Sequence, residues 1–69
     1  MTADEAAKLL ANTINEIESQ GYTVYPNIRP VRICIRVPRK GIKKVTHPDD
    51  TEILAEIWDE GDGQGWHVK

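Results

Sequence analysis

Phenylalanine is absent from this chain, and cysteine and methionine occur once each. With a single thiol, Cys34, no internal disulfide can staple the fold, and a lone cysteine suits a reducing, cytoplasmic setting. No apolar run approaches the roughly 20 residues that a helix needs to cross a bilayer, so no membrane partner is expected. The first residues include Asp4 and Glu5 and lack the apolar stretch of a signal peptide. Metal motifs are missing too: Cys34, His47 and His67 show no C-x-x-C or H-x-x-x-H spacing. Gly61-Asp62-Gly63-Gln64-Gly65 lacks the GxGxxG spacing of a phosphate loop, and a calcium loop starting at Asp59 would place glycines at its third and fifth positions. No acid pair, nucleophile triad or cofactor signature stands out, and so short a chain leaves little room for a deep pocket. The sequence therefore points away from an enzyme and implies no catalytic residue, metal or cofactor.

The 69 residues make one domain, 1–69. A chain of this size buries only about 60% of its unfolded surface, so its core is small, and a homodimer is one expected remedy. Trp58, Trp66, Tyr22 and Tyr25 are its large anchors.

Charge is segregated. The net charge is −2, yet residues 29–44 hold seven cations (Arg29, Arg32, Arg36, Arg39, Lys40, Lys43, Lys44) and no acid. Residues 49–62 hold seven acids (Asp49, Asp50, Glu52, Glu56, Asp59, Glu60, Asp62) and no base. Blocks of this size decide which surfaces can meet.

The basic block organises the chain. Val31, Ile33, Ile35 and Val37 alternate with Arg32, Cys34 and Arg36, the period of two of a half-buried strand. Pro38-Arg39-Lys40-Gly41 reads as a turn, and Ile42–Thr46 as a loosely patterned returning strand, making 29–44 a basic hairpin. Before it, Ala6, Leu9, Leu10, Thr13, Ile14 and Ile17 form one stripe of a helix, begun by Thr2 or Asp4 and stopped by Gly21. Tyr22-Thr23-Val24-Tyr25 reads as a short strand ended by Pro26. After the hairpin, Thr46-His47-Pro48-Asp49-Asp50 resembles a helix start, and Ile53, Leu54, Ile57 and Trp58 fall on a helical stripe ended by Gly61. A rival assignment makes Glu52–Glu60 a strand, hairpinned through Gly61–Gly65 onto Trp66–Val68. The expected fold is α+β: an N-terminal helix, two or three antiparallel strands, a second short helix and a short C-terminal strand. Helices should cover the Val31/Ile33/Ile35/Val37 face and leave Arg32 and Arg36 outward.

Two functions follow as expectations. In the first, a small intracellular binding module engages nucleic acid, or an acidic protein surface, through the basic 29–44 hairpin. A solvated edge strand also carries Arg and Lys simply to discourage aggregation, and the acidic net charge weighs against a dedicated nucleic-acid binder. In the second, the acidic 49–62 segment captures a basic protein, as an inhibitor or assembly factor would. Size and charge suit a regulatory or accessory protein such as phages and bacteria encode. Cys34, between two arginines, is expected to be either a reactive thiol or a small packed hydrophobe.

Overall fold

Thr2 starts the first element. Its hydroxyl accepts from the Glu5 N–H at 3.1 Å, and the Glu5 carboxylate accepts from the Thr2 N–H at 3.0 Å, a reciprocal capping box. The Thr2 N–H, and after it the Thr2 hydroxyl, hold the Glu5 carboxyl below its ordinary range. From this cap α1 runs over Ala3–Ser19 in a computed structural model that describes all 69 residues. Its innermost side chains are Ala7, Ala11 and Ile14, flanked by Ala3 and Leu10. The buried stripe is therefore rotated from the expected one, and Leu9 is exposed. Two alanines at the centre let the helix approach the sheet closely, so the bulky Leu9 falls outside.

The sheet has three antiparallel strands in the order β1 (Val31–Pro38), β2 (Thr51–Asp59) and β3 (His67–Val68). The second helix is corrected: residues 51–59 are a strand, and the expected helix start survives only as a three-residue 3-10 turn, Pro48–Asp50. The physical reason is a bulge. Ile35 pairs with Ala55 while Arg36 pairs with Ile53, leaving Leu54 as an extra residue on β2. One inserted residue breaks the period of two, so the apolar residues at 53, 54, 57 and 58 imitate a helical stripe.

The basic hairpin is corrected as well. β1 takes its partner from 51–59, while residues 39–47 form turns and an irregular loop. Residues 22–25 also form no strand, although Val24 touches the core. Thr51–Asp59 takes the place beside β1, pairing with every residue from Val31 to Pro38.

The core lies between α1 and one sheet face. It gathers Ala7, Ala11, Ile14, Val31, Ala55, Ile57 and Trp66, with Ile33, Ile35 and Val68 packed against it. Val31, Ile33 and Ile35 thus point inward as their alternation requires, and Val37 extends beyond the cluster. The opposite face of the sheet has no helix over it. No helix is long and apolar enough to cross a membrane.

Candidate nucleic-acid interface

The seven cations of residues 29–44 divide by residue type. Every arginine is tied to the chain itself. Arg29 is the most enclosed: its Nε donates to Asp59 Oδ2 at 2.8 Å and its Nη2 to Glu18 Oε2 at 3.2 Å, while its guanidinium lies 5.4 Å from the Trp66 ring. It joins α1, β2 and the C-terminal segment, so it is a structural residue. Asp59 answers it from a site only 7% exposed. Burial alone would push that carboxyl up; the Gly61 N–H at 2.9 Å, the Arg29 hydrogen bond and charge, and the His67 charge outweigh it. The net result lies below the ordinary carboxylate range.

Arg32 sits 3.5 Å from Glu56, on a side chain that is 49% exposed. Arg36 donates to Thr51 Oγ1 at 3.1 Å and to the Pro48 carbonyl at 3.3 Å, and Arg39 donates to the Asp49 carbonyl at 2.9 Å. The last two arginines therefore clamp the 3-10 turn onto the end of β1. Their charges stay uncompensated, because Arg36 and Arg39 meet carbonyl and hydroxyl oxygens rather than carboxylates.

Lys40, Lys43 and Lys44 differ. All three are exposed, and none makes a hydrogen bond or ion pair. They ride on the loop that leaves β1, beside Arg36 and Arg39. Cations on a loop can follow a phosphate backbone without first breaking internal contacts. A shallow open depression of about 510 Å³ adjoins the base of this loop, lined by Arg36, Val45, Thr46, His47, Pro48 and Thr51.

Most carboxylates of the acidic segment meet groups of their own chain, although Asp49, Glu52, Glu60 and Asp62 are exposed. Asp50 accepts from the Thr46 and His47 N–H groups at 3.1 and 3.2 Å, and Asp49 lies 3.5 Å from His47 Nδ1. Glu56 meets Arg32 and Lys69, Asp59 meets Arg29, and Asp62 accepts from the Gln64 N–H. Glu52 and Glu60 are left without a partner on the chain. Cys34 is half-buried on the Arg32 face, its thiol donating to Glu56 Oε1 at 3.9 Å.

Sequence reasoning overlooked a group that the register assembles. On the open sheet face, Arg32, Trp58 and His67 stand in one row across the three strands. Cys34, Glu56 and Lys69 stand in the next, since Lys69 N–H donates to the Glu56 carbonyl at 3.0 Å. Trp58 is half-buried, with Lys69 Nζ 4.4 Å and the Arg32 guanidinium 5.7 Å from its ring. The signal was the alternation Ala55, Ile57, Asp59 inward against Glu56 and Trp58 outward, which only a strand displays.

Comparison with known proteins found no matching family model, no matching curated protein and no matching solved structure.

Proposed function

We propose that this chain is a small, non-enzymatic binding module of the cytoplasm that holds nucleic acid by its phosphates. Lys40, Lys43 and Lys44 are the principal contacts, with Arg36 and Arg39 beside them and Arg32 at the other end of β1. One observation carries the proposal: three lysines project from one loop with no acid or carbonyl of the chain to satisfy them. Side chains held free of internal partners need break no contact within the chain to meet an external anion. Arg29 takes no part, because Glu18 and Asp59 occupy it. The acidic segment has weaker support as a capture surface, since most of its carboxylates cap turns or pair with cations of the same chain.

The test is a titration of a labelled single strand and a labelled duplex, each followed by fluorescence anisotropy at several salt concentrations. Affinity should fall steeply with salt, because each neutralised phosphate releases counterions. Changing Lys40, Lys43 and Lys44 together to Gln should lower the magnitude of the log–log slope by about 3. The loss should be similar for all sequences, since phosphate contacts position without specifying. No association of either form at low salt would remove the proposal. Binding of an acidic polypeptide with the same lysine dependence, and of no nucleic acid, would transfer the loop to a protein partner.

A further inference from the structure

From the open face of the sheet we infer that the nucleic acid is single-stranded, with a base stacked on Trp58; the inference rests on the phosphate-binding proposal above. α1 covers one face of the sheet only, and on the other the register aligns Arg32, Trp58 and His67. Lys69 joins them from the neighbouring row. This face carries Arg32 and Lys69 beside the indole and Arg36 further along β1, against the single acid Glu56. It therefore favours a polyanion at the place where an aromatic ring is offered. That coincidence of ring and cations is the recognition chemistry of an unpaired strand, whose bases are free to stack while its phosphates meet Lys and Arg. A duplex hides its base faces and could use only the cations.

Two details support Trp58 as the stacking group. The side chains over its ring are themselves exposed: Arg32 is 49% and Lys69 59% exposed, and both are held only by Glu56, so a base can displace them without disturbing the core. The indole Nε1, in contrast, is out of solvent and has no hydrogen-bond partner. An aliphatic side chain would fill the position without that orphaned donor. What tryptophan adds is the largest stacking surface of any side chain. The lysine loop follows Pro38 at the far end of β1, so a strand lying along β1 would run from Trp58, past Arg36, to Lys40, Lys43 and Lys44.

The experiment compares a dT oligonucleotide of about 16 nucleotides with a duplex of equal length, using the whole chain and its intrinsic tryptophan fluorescence. The single strand should bind tighter than the duplex and quench the emission. Trp66 is only 3% exposed, so the quench should vanish in Trp58→Leu while circular dichroism shows the fold retained. The same variant should lose about 10-fold or more in affinity for the single strand and none for the duplex. Trp58→Phe, which keeps a stacking ring and needs no N–H partner, should recover most of that loss. Equal binding of both forms without quenching overturns the stacking inference and leaves the phosphate reading intact. A quench that persists in Trp58→Leu overturns it too, and absence of binding to either form removes both.

Discussion

Asn15 and Trp66 are bonded to each other twice across a gap of 51 residues. The Asn15 Nδ2 donates to the Trp66 carbonyl at 2.8 Å, and the Trp66 N–H donates to Asn15 Oδ1 at 2.7 Å. A side-chain amide thus treats Trp66 as a neighbouring strand would. The Trp66 indole adds a third tie by donating to Glu18 Oε1 at 3.1 Å. The C-terminal segment is thus held to α1 by these bonds, as it is to β2 by its two-residue strand.

Changing Asn15 to Ala should therefore cost about 2–3 kcal/mol, because a buried N–H and a carbonyl lose their partners together. Asn15→Asp keeps the acceptor and loses the donor, so its loss should be smaller only if the new charge is tolerated beside the Trp66 carbonyl. Chemical denaturation reads the cost. Hydrogen exchange at the Trp66 N–H provides the sharper check: it should accelerate in Asn15→Ala more than the exchange of amides in β1. Equal acceleration everywhere would mean that the pair has no local role.

The loop that returns the chain to Asn15 gives the second prediction. Gly63 and Gly65 both have positive φ, +85° and +78°, where side chains with a Cβ are strained by about 1–2 kcal/mol. A Cβ at Gly63 would meet nothing, whereas at Gly65 it would lie 2.8 Å from Asn15 Oδ1. Gly63→Ala should thus show the conformational strain alone, and Gly65→Ala that strain plus damage to the Asn15–Trp66 pair. Similar melting temperatures for the two variants would contradict this.

The third prediction concerns acid. Asp59 has a folded pKa below its unfolded value of about 3.9. Its contribution is then complete above the unfolded pKa and disappears as pH falls through the folded one. Wild type should exceed Asp59→Asn in stability by about 2 kcal/mol at neutral pH, the value of a charge-assisted hydrogen bond. The difference should shrink below about pH 4. A difference that stays constant down to acid unfolding would show that the Arg29–Asp59 charge interaction contributes nothing.

Much of this was legible in the sequence because it depends on neighbours along the chain. Thr2 and Asp4 both announce a helix start, and the structure chooses Thr2 with Glu5 closing a capping box. Val31 to Val37 announces a strand whose arginines face away from the core, which its alternation alone determines. The clustering of seven cations in 29–44, and the excess of free lysine over free arginine among them, begin in the sequence but are completed by contacts it does not reveal. Which strand β1 would choose was not decided locally. The bulge at Leu54 disguised the period of β2, and only pairing with β1, which satisfies the main chain of both, converts a helical stripe into a strand. The same pairing assigns Trp58 to the open face and Asp59 to the core. Arg29, alike in sequence to its fellow cations, is withdrawn from the surface because Glu18 and Asp59 approach it from two other elements. Local periodicity determines what an element is when its pattern is uninterrupted; pairing and burial across elements determine what a charge or a ring can touch, and those distances exist only in the folded chain.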